Sequence, residues 1–286
     1  MKLIPMETGQ KTIQTTNSLN SQIPNKLSIQ ISLSGLSFCV LNSQSNVIEH
    51  FQQIDFDKKL TPQVLLDRLS TIFDTNSTYS GQFETVLLIY HNQLSSIVPK
   101  LLFNEQNSAD YLKFNAKILK TDYITHDQIE INDSVNVYVP LVNINNYIFD
   151  KFGAFEFKHA STILIETLLK TELSAKESRF YINVEKNHLE IILIENGALI
   201  FYNAFEYDSV EDFIYYILFT LEQLHLDQEH LKVVLTGSIH KNDANYKILY
   251  KYIRHIEFIQ PIKTFKYASN IEPFSNYNHF IILNSF

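Results

Sequence analysis

Residues 180–205 read FYINVEKNHLEIILIENGALIFYNAF, three short apolar runs divided by Lys186-Asn187 and by Asn196-Gly197. Phe180, Ile182 and Val184 alternate with other residues, as do Leu189, Ile191 and Leu193, and then Leu199 and Phe201. A period of two marks strands that bury one face. Asn-Gly is the strongest short hairpin signal, because both positions accept the positive φ of a two-residue turn. The stretch predicts a meander of three antiparallel strands. A similar one starts at residue 27, LSIQISLSGLSFCVLNSQSNVIEHFQQID, where Ser34-Gly35 and then NSQSN turn the chain.

The elements after each meander are also alike. After the first comes a helix with Thr61 as N-cap, Pro62 in its first turn and Leu65, Leu66, Leu69, Ile72 and Phe73 as its apolar stripe. ETVLLIY then reads as a strand covered on both faces. After the second meander a helix starts at Asp208 or Ser209 with acidic residues in capping-box style. Its Val210, Phe213, Ile214, Ile217, Leu218, Leu221 and Leu224 form one face. Tyr215, Tyr216 and Phe219 make the other face aromatic, so it is expected to be buried on most sides. LKVVLTGS is the next covered strand, DANYKILYKYI a helix and HIEFI a final strand.

Between the halves, PKLLFNEQNSADYLKF is partly helical in pattern and DYITHDQIEI and VNVYVPL are strand-like. NNYIFDKF is a short helix stopped by Gly153, AFEFKHA a short strand and STILIETLLKTEL a helix. Matching elements start about 150 residues apart, a spacing that means duplicated domains rather than a solenoid. The expected layout is an arm over residues 1–24, a first domain over 25–175 and a second over 176–286.

The chain has 286 residues, 45% of them hydrophobic and 19% charged, with a formal charge of −8. That composition is of a folded protein with a substantial core. Three arginines, Arg68, Arg179 and Arg254, and no basic cluster argue against a nucleic-acid partner. The single cysteine, Cys39, lies in an apolar run and excludes an internal disulfide. The first residues lack the apolar core of a secretion signal, and no run approaches the ~20 apolar residues of a membrane span. A soluble, cytoplasmic protein is expected.

A duplicated β-β-β-α-β-α-β unit resembles the actin, sugar-kinase and heat-shock ATPase superfamily, α/β proteins with a ribonuclease H-like unit in each domain. The stretches LSIQISLSGLSFCV, SSIVPKLLFNEQNSADYLKFN, VVLTGSI and YKYIRHIEFIQP are similar to those of a Bacteroidetes family, domain-of-unknown-function family 3822. The resemblance implies two actin-like domains, each a mixed sheet of three meander strands plus parallel strands, facing each other across a cleft. In catalytic relatives that cleft holds ATP. The family supplies an architecture and no established activity.

The superfamily places an aspartate and a glycine in the first hairpin of each domain, where backbone N–H groups approach phosphate and the acids hold Mg²⁺ through water. Here the first turn is SLSG, with Ser32 and Ser34 in place of an acid and only Gly35 kept. The second is NVEKNH, with Asn183 roughly at the acid's place, no glycine, and Glu185 as a polar residue at a strand end. Six glycines in the whole chain are few for a two-loop phosphate cradle. Thr236-Gly237-Ser238 stands where the superfamily binds adenosine, as a remnant pocket or as a plain turn into a helix capped near Asn242 or Asp243. Candidate nucleotide-binding residues are therefore Ser34, Gly35, Thr236, Gly237 and Ser238, with no catalytic or metal residue assigned. No cofactor is expected, ATP with Mg²⁺ being the one to test.

Other chemistries have little support. TGSIHK lacks the second glycine and the Lys-Ser/Thr pair of a P-loop. His225 and His230 are wrongly spaced for a metal pair on one helical face. Asp127, Glu130 and Asp133 lack the rest of a calcium loop and read as a solvated strand and turn. Ser95-Ser96 has no His and acid partner by motif. Phe265, Tyr267, Phe274, Tyr277 and Phe280 make the tail aromatic, as a contact surface or as a wrap over its own domain.

The sequence thus points to a non-catalytic actin-like fold, a pseudo-ATPase serving as a binding or scaffold module with a protein partner. The alternatives are an ATP sensor that does not hydrolyse and an unconventional ATPase or kinase. Homodimerisation through the tail or an outer strand stays open.

Overall fold

The computed structural model describes residues 24–113, 117–271 and 277–286. The expected arm lies outside the described residues up to residue 23, and so does Phe274. The first meander forms β1 (Asn25–Ser32), β2 (Gly35–Asn42) and β3 (Val47–Asp55), followed by α1 (Pro62–Thr75) and β4 (Thr85–Tyr90). An inserted unit comes next, of β5 (Ser95–Pro99), α2 (Ser108–Leu112), β6 (Thr125–Ile129) and β7 (Ser134–Tyr138). The chain then returns through α3 (Val142–Phe152) and β8 (Glu156–His159) to the connecting helix α4 (Ala160–Glu172). The second meander is β9 (Arg179–Glu185), β10 (His188–Glu195) and β11 (Ala198–Glu206). It is followed by α5 (Val210–Gln223), β12 (Lys232–Gly237), α6 (Ala244–Tyr252), β13 (His255–Phe258), β14 (Lys266–Tyr267) and α7 (Phe280–Leu283).

The second sheet runs β11-β10-β9-β12-β13 and the first β3-β2-β1-β4-β8, the same order built from equivalent strands. In each the meander is antiparallel and the last two strands lie parallel to the first. The likeness extends to irregularities: the β2–β3 register slips after Val40 and the β10–β11 register after Leu193, the same position along equivalent strands. Bulges that re-aim a strand are features of a design rather than defects. β5, β7 and β6 form a separate antiparallel sheet, inserted only in the first half.

Strand alternation sorts the residues into layers. Leu27, Ile29 and Ile31 of β1 enter a core under α1 and α3. Phe180, Ile182 and Val184 of β9, with Leu189, Ile191 and Leu193 of β10, enter the matching core under α5 and α6. The opposite faces meet in a shared core, where Cys39 and Ile89 of the first sheet join Tyr181, Ile192 and Val234 of the second around α4 and α7.

The helix starts follow local chemistry. The Thr61 side chain accepts from Val64 N–H, and Ser209 with Asp212 forms a reciprocal capping box. Asn196 and Gly197 have φ of 50° and 75°, as a two-residue hairpin turn requires.

Three expectations are corrected. α5 is buried on one side only: Tyr215 is 59% and Phe219 43% exposed, stacked on each other one helical turn apart. Asp127 is not solvated; it is buried and accepts from the Tyr138 and Thr162 hydroxyls and from His159 N–H. The tail does not stay only on its own half: Tyr277 packs on Phe258 there, but β14 adds a parallel strand to the edge of β3 in the other half. Among the described residues no helix is long and apolar enough to cross a membrane.

Candidate functional site

The two equivalent hairpin turns face one cavity. Ser32 pairs with Gly35 across the first turn and Glu185 with His188 across the second. These turns line a cavity of ≈110 Å³ together with Gln30, Asp55, Lys59, His91 and Glu206. Register makes Glu185, rather than Asn183, the counterpart of Ser32, and His188 the counterpart of Gly35. The lysines here are committed: Lys186 Nζ donates to the Phe56 carbonyl at 2.7 Å, and Lys59 Nζ lies 2.5 Å from a Glu206 carboxylate oxygen. Both contacts run from one half to the other. Burial, the largest influence on Glu185, raises its pKa, and the Ser238 hydroxyl donates to it at 3.1 Å.

Behind this cavity the inner strand faces turn from apolar to polar. Glu190 of β10 shares a face with Ile192 and Ile194, yet it is fully buried. Its Oε2 accepts from Asn183 Nδ2 at 2.9 Å and lies 3.2 Å from His91 Nε2, while its Oε1 accepts from the Tyr202 hydroxyl at 2.8 Å. Gln30 Nε2 lies 3.4 Å from His91 Nδ1 and fixes the ring from the other side. The His188 ring stands edge-on to that of His91, with centroids 4.6 Å apart. Burial alone would raise the Glu190 pKa, but hydrogen bonding and charge from His91 outweigh it and hold the carboxyl at about 2. Burial disfavours the His91 cation as well, yet Glu190 beside it leaves its pKa raised. For His188, burial and then His91 push the pKa down to about 3, so this ring is neutral.

A model of the protein-of-unknown-function family DUF3822 matches residues 14–256. The chain belongs to the DUF3822 family. Among solved structures, a Bacteroides thetaiotaomicron protein with actin-like ATPase fold and unknown function is 23% identical, with a TM-score of 0.74 over 82% of this chain and 91% of that one. The PilM-PilN type IV pilus biogenesis complex contains a chain 12% identical with a TM-score of 0.54, covering 85% of this chain and 90% of that one. No curated protein sequence matches. The DUF3822 chain therefore has the actin-like ATPase fold, as its residues predicted.

Of the candidate nucleotide residues in this DUF3822 protein, Ser34 and Gly35 line the cavity, and Thr236 and Gly237 do not. Ser238 reaches its edge through Glu185. Thr236 is buried with its hydroxyl on the Tyr277 carbonyl, and Gly237 N–H donates to the same oxygen at 2.8 Å. The Tyr277 ring packs on Phe258, with centroids 4.3 Å apart. Gly237 has φ +84°, and a Cβ there would stand 2.3 Å from the Val184 carbonyl oxygen. Its glycine is thus explained by strand packing. A Cβ at Gly35 would likewise meet the Ile54 carbonyl oxygen at 2.8 Å.

Sequence reading passed over His91, His188 and Glu190. Two are isolated at strand ends and come together only through the pairing of halves. Glu190 did carry a signal, as a carboxylate on an apolar face of a covered strand, where a charge needs a dedicated partner.

Proposed function

We propose that this DUF3822 protein is a non-catalytic member of the actin-like fold, a binding or scaffold module that engages a protein partner. One observation carries the reading. Both lysines that line the cavity between the hairpin turns are already engaged, Lys59 by Glu206 and Lys186 by the Phe56 carbonyl, where a triphosphate would need free cationic donors. The cavity's ≈110 Å³ is also well below the roughly 300 Å³ at which small-molecule pockets begin. At the other candidate subsite the tail's Tyr277 carbonyl takes the donors of Thr236 and Gly237.

A protein partner is supported by exposed aromatics, Tyr215 and Phe219 on α5 and Tyr250 and Tyr252 on α6, residue types that anchor interfaces. The PilM-PilN neighbour shares the fold and is a protein complex. The test is phosphate release from Mg-ATP together with a thermal-shift titration. Neither turnover nor a midpoint rise is expected, since a ligand bound to the folded state must raise the midpoint. A saturable rise without turnover would favour the nucleotide-sensing alternative. Turnover that disappears on Asp55→Asn or Glu185→Gln would overturn the proposal.

A further inference from the structure

We propose that His91, His188 and Glu190 form a binding site for a divalent first-row transition ion, zinc by donor set, which clamps the two halves together beside the cavity. The inference does not rest on the absence of ATPase activity. One ligand atom from each residue lies within 4.8 Å of the other two. His91 follows β4 of the first sheet, whereas His188 and Glu190 belong to β10 of the second. Neither half has the site alone.

The donor set and its surroundings fit that ion. Two imidazoles and one carboxylate, with a further position left to water, are a recurrent zinc set, bound at about 2.0–2.2 Å. Tetrahedral ligands at such lengths stand about 3.3 Å apart, and His91 Nε2 is 3.2 Å from Glu190 Oε2. His188 supplies the third donor, and its Nε2 is buried without a hydrogen-bond partner, an arrangement that ordinarily costs stability. An ion would use its lone pair.

The supporting contacts are those that metal sites depend on. Asn183 and Tyr202 hold the carboxylate, and Gln30 meets the far nitrogen of His91. Binding requires His91 to release its Nε2 proton and present that lone pair, keeping Nδ1–H. Gln30 can accept the hydrogen bond from Nδ1–H by turning its amide. His91 and His188 also line the cavity, which gives the ion an entry path and leaves room for water. Soft thiolate-preferring ions are disfavoured by the N/O donors, and Mg²⁺ and Ca²⁺ by the imidazoles.

The chelator-stripped full chain is titrated with Zn²⁺ by calorimetry and with Co²⁺ by visible absorption. One equivalent is expected to bind, with the intense bands of a low-symmetry cobalt site and a raised thermal midpoint. His188→Ala, which removes the unpartnered Nε2 donor, should weaken binding at least 100-fold and abolish the bands. Glu190→Gln provides a second variant of nearly the same shape. Wild-type protein that binds neither ion stoichiometrically overturns the proposal. So does affinity unchanged in His188→Ala, or lost instead in His230→Ala, which would place the ion on the exposed His230–Asp227 pair.

Discussion

Single residues separate structural from chemical roles at the sites where a nucleotide-binding relative would be read. Gly237 combines a left-handed φ with backbone only 2.3 Å from the place a Cβ would take. Gly237→Ala is therefore expected to cost on the order of 3 kcal/mol, against near neutrality for Gly81→Ala, whose Cβ would meet nothing. Urea unfolding of the two variants checks this, and equal costs would show the clash to be relieved. Loss of any activity in a Gly237 variant consequently reports on folding.

His159 makes folding stability depend on pH. Its ring Nδ1 caps α4 at Ser161, and burial, the largest influence, holds the folded pKa at about 4 against 6.5 when unperturbed. Between those values the unfolded chain binds more protons than the folded one. The contribution is thus complete above about pH 6.5 and lost as pH falls towards 4, by on the order of 3 kcal/mol. His279, also lowered to about 4 by burial, works in the same direction. Unfolding free energies should fall from neutral to mildly acidic pH, and less steeply in His159→Asn, which keeps a capping oxygen but does not titrate. A parallel fall in the variant would assign the acid sensitivity to other groups.

Elements were legible in proportion to how local their causes are. The β1–β3 and β9–β11 meanders, the Thr61 and Ser209 caps and the Gly153 stop follow from alternation, capping side chains and turn geometry within a few residues. The two-residue pairing of β14 with β3 joins segments more than two hundred residues apart and leaves no periodicity to read. α5 misled for a related reason: Tyr215 and Phe219 have the composition of a core face, but no element among the described residues covers them. The cavity-lining Ser34 and Gly35 were found from a turn motif, while His91, His188 and Glu190 required knowing how two sheets face each other. The short α7 shows how much a minor element can hold. Phe280, Ile281, Ile282 and Leu283 are all buried in the shared core, so Ile281→Ala is expected to cost about 2–5 kcal/mol. A cost below about 1 kcal/mol in urea unfolding would mean that the tail is only loosely docked.

Across the whole molecule, the contacts that join the halves include a surface ion pair and a shared apolar core, and magnitudes decide which of these two matters more. Lys59–Glu206 bridges the halves at the surface, with both side chains close to half exposed. Such pairs are worth about 0–1 kcal/mol, because water screens them and ordering two flexible chains is costly. The shared core instead buries residues of β2, β4, β9, β10 and β12 with α4 and α7. Its apolar side chains contribute roughly 1.5–3 kcal/mol each on removal from water. If that core unites the halves, neither can open without exposing it, and the chain should unfold in one cooperative transition. Tyrosine fluorescence and far-ultraviolet circular dichroism should then give coincident denaturation curves. Lys59→Ala should leave both within about 1 kcal/mol of the parent, with the curves still superimposed. Two separated transitions, or curves that part in Lys59→Ala, would instead mean that the halves are independent bodies held by surface charge.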